Sequence, residues 1–190
     1  MSTDDLPAPS DHLLRTLAAV PVSSQILDLG CGRGRHTEPL LRLGFPVHAC
    51  DPRPAAVEAT RARVGELIGA DSAETSVQVT PLDAIDYPDA TFDWVVADRA
   101  ETYVDDEADL QVLFAESRRL LKPGGWLYVT LPTGADEDAD PDGPAFSLGT
   151  VERLRTEADL AEAGEPSEVE TGSAPRLRAI YRRVEPHTPA

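Results

Sequence analysis

The sequence is poor in lysine, in cysteine and in long apolar runs, and each shortage narrows the class of protein. It contains no run of about 18 apolar residues, which excludes a membrane-spanning helix. The two cysteines, Cys31 and Cys50, are too few for a disulfide framework, and their spacing does not match a zinc motif. The acidic stretch 1–14 lacks the basic and then apolar pattern of a signal peptide, so we expect a cytoplasmic protein.

Positive charge is also scarce, because Lys122 is the only lysine beside sixteen arginines and the formal net charge is −17. A field of this sign repels phosphate backbones and anionic lipid, so we expect neither nucleic acid nor membrane as a partner. An acidic surface poor in lysine fits a cytoplasm of high salt, where screening relieves self-repulsion. A coding bias combined with an ordinary acidic surface is the alternative. The sequence leaves the oligomeric state open.

Short apolar runs alternate with amphipathic ones along most of the chain. Helices are predicted at 10–20, with Ser10 as N-cap, and at 36–44, 54–69, 106–121 and about 150–163. Strands are predicted at 25–30, 46–50, 76–80, 91–98, 124–132, 167–171 and 176–184. The alternation predicts an α/β fold with a doubly wound, mostly parallel seven-stranded sheet, whose last strand is antiparallel, and with helices on both faces.

We expect one domain over 1–190, with a loose tail at 1–9 and an acidic loop at 133–146. The loop is broken by glycine and proline, and its acids do not match the spacing of an EF-hand. The four histidines are scattered. We therefore predict no metal site.

Three glycines, Gly30, Gly32 and Gly34, follow the first predicted strand at every second position. Glycine permits positive φ and lets a ligand approach the backbone, and the carboxyl end of a parallel strand is the expected ligand crevice. Asp51 ends the second strand, where a ribose diol would be bound. With Asp28 and Asp83, it is expected to form one acidic rim.

The spacing of these glycines separates two kinds of nucleoside cofactor. A dinucleotide site uses G-x-G-x-x-G, because pyrophosphate rests on a helix N-terminus. Here the pattern is D-x-G-x-G-x-G, and its leading acid suits a cationic ligand better than an anionic one. The ATP-binding pattern G-x-x-x-x-G-K-[ST] does not occur.

Four segments together resemble the class I S-adenosylmethionine-dependent methyltransferases. They are ILDLGCGRGRH at 26–36, VHACDP at 47–52, PLDAIDYPDATFDWVVAD at 81–98 and LLKPGGWLYVTLP at 120–132, with a K-P-G-G turn at 122–125. The resemblance implies a Rossmann-like fold. GCGRGR followed by LLRLGFPV, and PAFSLGTVERL further on, are similar to the tellurite-resistance-type and thiopurine-type enzymes, which methylate small molecules.

The resemblance implies S-adenosylmethionine as the cofactor. It assigns the two ribose hydroxyls to Asp51, the adenine to Asp83 with Ala84, and the methionine part to the strand end at Asp98. The full set of implied cofactor residues is Asp28, Gly30, Cys31, Gly32, Gly34, Asp51, Pro52, Arg53, Asp83, Ala84 and Asp98.

Methyl transfer from a sulfonium is an in-line displacement that mainly requires the reactants to be held in line. A general base is needed only for an acceptor with a high pKa, so no fixed motif is expected. Candidate pocket residues are His36, Arg99, Glu101 and Tyr103, with a solvated loop as the alternative for the last two. RAETYV stands where amino-methylating DNA enzymes carry asparagine and proline, which, with the acidic charge, argues against a DNA substrate. We expect a small-molecule acceptor.

Two other functions remain open on the sequence. One is a regulatory or partner module that binds the cofactor, or its demethylated product, without catalysis. The other is a nicotinamide-dependent oxidoreductase, for which the spacing after Gly32 is wrong.

Overall fold

The computed structural model describes residues 6–134, 146–171 and 174–185. These residues form two compact units, one ending at Pro81 and one starting at Leu82. None of the helices in the described ranges is both long enough and apolar enough to cross a membrane.

The first unit carries a three-stranded parallel sheet with four helices. Its elements are α1 (Asp11–Leu17), β1 (Ile26–Leu29), α2 (Thr37–Arg42), β2 (Val47–Asp51), α3 (Pro54–Ile68), α4 (Ala70–Ser76) and β3 (Val77–Val79). β2 lies between the other two strands, with Ile26 paired to Val47 and Ala49 paired to Val77. Both strand ends that carry predicted site residues, those of β1 and β2, therefore lie at the same edge of this sheet.

One hydrophobic cluster of the first unit is formed by the turn after β1 and by β2, α3, α4 and β3. It consists of Cys31, Ala49, Val57, Val64, Ala73 and Val77. α3 begins with Pro54, whose fixed φ suits the first turn of a helix, and ends before Gly69 at φ 85°. α1 begins as predicted, because Ser10 Oγ accepts a hydrogen bond from Leu13 N at 3.3 Å.

The second unit contains the remaining strands and two longer helices. Its elements are β4 (Phe92–Ala97), α5 (Glu107–Leu120), β5 (Leu121–Pro132), α6 (Leu148–Glu157), β6 (Leu160–Glu162), β7 (Ser167–Thr171) and β8 (Ala174–Arg183). β4 and β5 are parallel, whereas β8 runs antiparallel to β5, β6 and β7. Single 3-10 turns lie at Leu82–Ala84 and Ala100–Thr102.

The predicted fold class is confirmed: strands alternate with helices, β2 is parallel to β1 and β3, β4 is parallel to β5, and the last strand is antiparallel to its neighbours. In β8 the buried side chains are Leu177, Ala179 and Tyr181, which is the predicted alternation of a half-exposed strand. The single domain over 1–190 stays a prediction. Of the predicted tail and acidic loop, residues 1–5 and 135–145 lie outside the described residues.

Three local predictions are corrected. The sequence predicts no helix at 70–76, where α4 forms. It predicts a helix as far as 163, whereas α6 ends at Glu157 and β6 follows. It also predicts a turn at 122–125, where the chain continues as part of β5.

The K-P-G-G segment forms a bulge in β5. The pairing shifts there, since Phe92 pairs with Leu121 but Trp94 pairs with Trp126. A Cβ atom on Gly125 would lie only 2.9 Å from the backbone oxygen of Lys122, so only glycine fits at this position. Lys122 Nζ lies 2.8 Å from Asp93 Oδ2 and ties the bulge to β4. These residues therefore shape the strand.

Candidate functional site

The glycine turn after β1 requires glycine for two different reasons. Gly30, Gly32 and Gly34 all have positive φ, at 72°, 57° and 81°. A Cβ atom on Gly32 would have nothing within 4 Å, so open space lies beside its backbone. A Cβ atom on Gly34 would lie 3.2 Å from Thr60 Cγ2, so this residue lets α3 approach closely.

The turn is anchored to the end of β2. Gly30 N and Cys31 N both donate to the carbonyl oxygen of Cys50, at 2.8 and 3.0 Å. Gly32 N donates to Asp51 Oδ2 at 2.9 Å. The glycine turn and the acid at the end of β2 consequently form one hydrogen-bonded arrangement.

Asp51 is fully buried, and Arg53 pairs with it. Arg53 donates to Asp51 from its backbone nitrogen, from Nε and from Nη2, at 2.9, 2.9 and 2.8 Å. Burial alone would raise the pKa of Asp51, but the hydrogen bonds from Arg53 and Gly32 outweigh it and hold this pKa below its ordinary value. The same pairing raises the pKa of the Arg53 guanidinium. Both groups are therefore charged at neutral pH.

Thr60, on α3, holds Gly32 from its carbonyl side. Its Oγ1 donates to the carbonyl oxygen of Gly32 at 2.8 Å and lies 3.9 Å from Cys31 Sγ. Thr60 is fully buried. Gly32 is thus held at its nitrogen by Asp51 and at its oxygen by Thr60, which fixes the orientation of the turn.

Asp28 is buried below the turn, with 2% of its surface exposed. Its Oδ2 accepts a hydrogen bond from Thr37 Oγ1, the first residue of α2, at 2.6 Å. Asp28 therefore joins the end of β1 to the start of the following helix.

Both cysteine thiols of the first unit are buried. Burial raises the pKa of Cys31, and the charge of Asp28 adds to this effect. Burial also raises the pKa of Cys50, to about 12. The thiols are protonated at neutral pH, so Cys31 has the character of a small core residue and not of a nucleophile.

His36, a candidate pocket residue, is buried and contacts the N-terminal segment. Its Nε2 accepts a hydrogen bond from Ser10 N at 3.1 Å, which assigns the ring proton to Nδ1. Arg35 Nη1 donates to the carbonyl oxygen of Ala8 at 3.0 Å. In this arrangement the basic nitrogen of His36 holds the segment before α1, so the geometry favours a positioning role over proton transfer.

At the end of β4, the second unit places Asp98 and Arg99 beside Thr130. Arg99 N donates to Thr130 Oγ1 at 2.7 Å, and Thr130 Oγ1 donates to Asp98 Oδ1 at 3.0 Å. The backbone of Arg99 has φ 56° and ψ 51°, a left-handed conformation that residues other than glycine rarely adopt. Strain of this kind occurs preferentially at ligand-binding and catalytic sites.

Glu101 joins this turn to β8. Its Oε2 lies 2.5 Å from Arg176 Nη2, and its Oε1 lies 3.5 Å from Arg99 Nε. Tyr103 ends the 3-10 turn and is half-buried. Asp83 and Ala84 are exposed in the 3-10 turn Leu82–Ala84.

The structure brings together two groups of predicted residues. In the first unit, hydrogen bonds join Gly32, Asp51 and Arg53, while Pro52 lies exposed between the last two. In the second unit, Asp98, Arg99 and Glu101 follow β4. The convergence of Asp83 with Asp28 and Asp51 stays a prediction. The described residues contain no group of three His, Cys, Asp or Glu side chains placed to hold a metal ion.

Sequence reasoning missed four residues that support these groups: Thr37, Thr60, Thr130 and Arg176. Thr60 lies 28 positions after Gly32, and Arg176 lies 75 positions after Glu101. Thr37 lies nine positions after Asp28, and no local pattern marks the hydrogen bond between them. The other contacts depend on how distant elements pack.

Comparison with known proteins places this geometry in a family. Residues 27–129 match the model of the family described as methyltransferase domain. A ubiquinone biosynthesis O-methyltransferase from Mesorhizobium japonicum is 30% identical over 119 residues, covering 55% of this chain and 39% of that protein. The mitochondrial ubiquinone biosynthesis O-methyltransferase of Bos taurus is 33% identical over 144 residues, covering 68% of this chain and 36% of that protein. The chain thus spans well under half the length of these relatives.

Solved structures show the same fold over nearly the whole chain. A SAM-dependent methyltransferase from Methanosarcina mazei superposes with a TM-score of 0.73 at 18% identity, covering 95% of this chain and 100% of that one. Geranyl diphosphate C-methyltransferase from Streptomyces coelicolor, in complex with S-adenosyl-L-homocysteine, gives a TM-score of 0.74 at 18% identity, covering 92% and 79%. With the family match across half of its length, the chain belongs to the methyltransferase domain family and has the Rossmann-like fold of class I S-adenosylmethionine-dependent methyltransferases.

Proposed function

We propose that this protein is an S-adenosylmethionine-dependent methyltransferase that acts on a small-molecule acceptor. The observation that carries the proposal is the arrangement at the ends of β1 and β2. There, a fully buried carboxylate, Asp51, lies beside a glycine turn with open space at Gly32. The family and fold support the same function.

The residues at this edge fit a sulfonium nucleoside. Asp51 offers carboxylate oxygens to a vicinal diol, and a buried carboxylate also suits a ligand that carries positive charge. The backbone of Gly32 is open to a ligand, whereas a phosphate cradle would need a different glycine spacing. When bound, S-adenosylmethionine supplies a methyl group on a positively charged sulfur.

Each group of residues has a separate task in this proposal. Asp51 binds the ribose hydroxyls, with Pro52 and Arg53 at the edge of the adenosine. Gly30 to Gly34, with Cys31, form the turn that receives ribose and the amino-acid part. In the second unit, Asp83 with the backbone of Ala84 holds adenine, and Asp98 holds the methionine part. Asp28 and Thr60 act through the turn that they fix.

Arg99, Glu101 and Tyr103 are proposed to face the acceptor. The strained backbone of Arg99 is held by Thr130, and Glu101 is held by Arg176. Residues fixed in this way can keep an acceptor in line with the methyl group, which is the main requirement of the displacement. His36 is proposed as a positioning residue, since its Nε2 binds Ser10.

The proposed acceptor is a small molecule and not a nucleic acid. Geranyl diphosphate, a small molecule, is the acceptor named for one solved neighbour, and relatives are named for methylation in ubiquinone biosynthesis. The net charge of −17 disfavours a polyanion.

The same net charge, together with the single lysine, supports the proposal that the protein is adapted to a cytoplasm of high salt.

The main alternative is a module that binds S-adenosylmethionine or S-adenosylhomocysteine without catalysis. The two functions differ in a methyl-transfer assay with labelled S-adenosylmethionine and a panel of phenols, amines and thiols. The proposal predicts label in at least one acceptor together with S-adenosylhomocysteine as product. Cofactor binding with no transfer to any acceptor in the panel would favour the module.

The cofactor site is tested by Asp51→Ala. Loss of a charged hydrogen-bond partner should weaken binding of S-adenosylhomocysteine by about 1–3 kcal/mol. Asp71→Ala is the matched control, because Asp71 is an exposed acid in the first turn of α4, in the same unit. Unchanged affinity in Asp51→Ala would contradict the placement of the ribose.

A further inference from the structure

The carboxylate of Asp51 accepts as many hydrogen bonds as a carboxylate can accept. Two oxygens offer about four acceptor positions. Oδ1 accepts from Arg53 N and Arg53 Nε, both at 2.9 Å. Oδ2 accepts from Gly32 N at 2.9 Å and from Arg53 Nη2 at 2.8 Å. All four positions are therefore filled by the protein itself.

These four donors fall into two kinds. The backbone nitrogens of Gly32 and Arg53 are fixed by the turn and by the start of α3, and each binds one oxygen. The guanidinium also binds each oxygen once, through Nε and Nη2, but its side chain is half exposed while that of Asp51 is fully buried. The guanidinium can therefore leave into solvent, whereas the backbone donors stay.

Departure of the guanidinium would leave two free acceptor positions on Asp51 in a defined arrangement. One acceptor position opens on each oxygen of Asp51, side by side in the plane of the carboxylate. Two hydroxyls on neighbouring carbons are the donors that match such a pair of positions. Arg53 thus binds Asp51 in the way that a vicinal diol would bind it.

We propose that the Arg53 side chain is an internal competitor of the ribose diol and must leave Asp51 before a nucleoside can bind there. This inference rests on the proposed function, because it takes the ligand to be an adenosine derivative. In the free protein, Arg53 compensates the buried charge of Asp51. On binding, the two ribose hydroxyls take over both of its bonds.

A nucleoside binds only to those molecules in which Arg53 has left Asp51. The apparent affinity is therefore the intrinsic affinity multiplied by the fraction of such molecules. The half-exposed guanidinium is screened by solvent, so the pair has only modest strength. Removing the guanidinium should tighten nucleoside binding by about two- to fivefold, within the range that such a pair supports. The backbone donors still hold Asp51 in place.

The test is calorimetric titration of the unsubstituted protein and of Arg53→Met with two ligands. S-Adenosylhomocysteine carries the diol and is close to neutral overall, so the loss of an arginine charge has little direct effect on it. Its 2′,3′-dideoxy analogue lacks both hydroxyls. Arg15→Met is the charge-matched control, because Arg15 lies on α1 in an exposed pair with Asp11. Melting curves establish that each variant is folded.

The proposal predicts about two- to fivefold tighter binding of S-adenosylhomocysteine to Arg53→Met, with unchanged binding of the dideoxy analogue. Arg15→Met should resemble the unsubstituted protein with both ligands. Should Arg53→Met fail to fold, Arg53→Gln replaces it, and the same sign is expected.

Equal or weaker binding of S-adenosylhomocysteine to the folded Arg53 variant would overturn the proposal. Equal tightening of the dideoxy analogue would overturn it too, because the effect would then not come from the diol. In both cases binding to the unsubstituted protein leaves the proposed function standing. If neither the unsubstituted protein nor the variant binds S-adenosylhomocysteine, the proposed function fails together with this inference.

Discussion

Removing the hydroxyl of Thr60 should loosen the glycine turn without substituting any residue that is proposed to contact the ligand. Thr60 Oγ1 donates to Gly32 O at 2.8 Å, and Asp51 Oδ2 accepts from Gly32 N at 2.9 Å. Thr60→Val deletes the first bond and keeps the shape of the side chain. Gly32 is then held by Asp51 at its nitrogen and no longer by Thr60 at its oxygen, so the turn can rotate away from the orientation that a nucleoside requires.

The size of the effect follows from the burial of this hydrogen bond. Thr60 is fully buried, and a lost hydrogen bond of this kind costs about 1–2 kcal/mol. For a chain of this length, that lowers the melting temperature by about 3–6 °C. If the turn must be reordered on binding, a similar free energy is added to the cost of binding. The Kd for S-adenosylhomocysteine should then rise by about 5- to 30-fold.

Thr60→Ser is the matched control, since it keeps the hydroxyl and deletes the methyl group that packs toward Gly34. Loss of a buried methyl costs about 1 kcal/mol, so the two variants should be destabilised to a similar extent. Urea unfolding measures stability, and calorimetry measures the Kd. We expect weakened binding in Thr60→Val alone. Binding at the unsubstituted affinity in Thr60→Val, or the same loss in Thr60→Ser, would refute the reasoning.

Three further predictions concern stability. Because burial raises the pKa of Cys50 to about 12, the unfolded chain loses this proton first, and the free energy of unfolding should fall as the pH rises from about 9 toward 12. Urea midpoints should show a smaller fall in Cys50→Ala, and an equal fall would contradict this. Arg119 Nη2 and Nη1 bind the carbonyl oxygens of Ile85 and Tyr87, at 2.9 and 2.7 Å, so Arg119→Met should cost about 1–3 kcal/mol of stability by urea unfolding. Arg118→Met is the control, because it breaks an ion pair at 3.8 Å with Asp159, and it should cost less than about 1 kcal/mol. An equal loss of stability in the two variants would refute the stabilising role of the Arg119 hydrogen bonds. The melting temperature should rise from low to molar KCl, and a flat or falling curve would count against salt adaptation.

Much of the fold could be predicted because burial leaves a strong pattern. β1 is buried at all four positions, and β8 alternates, so both read as strands from their apolar residues. α4 left no such pattern, since Ala73 is its only buried residue. β6 has three residues and pairs with β8 far along the chain, which local periodicity does not report.

The candidate site could be predicted only as far as the backbone determines it. The glycine spacing and the acids at strand ends locate the turn and Asp51, because those positions follow from topology. The contacts of Asp51 with Arg53 and of His36 with Ser10 depend on side-chain rotamers and on packing between helices. The sequence therefore predicted Arg53 as a lining residue and missed its ion pair with Asp51.

The central claim, a site for a sulfonium nucleoside, is tested most directly by calorimetric titration in high-salt buffer. The ligands are S-adenosylmethionine, S-adenosylhomocysteine and NAD. We predict micromolar binding of the first two and none of NAD, because the glycine turn lacks the spacing that holds a pyrophosphate. Binding of NAD, or no binding of either sulfur compound, would contradict the account.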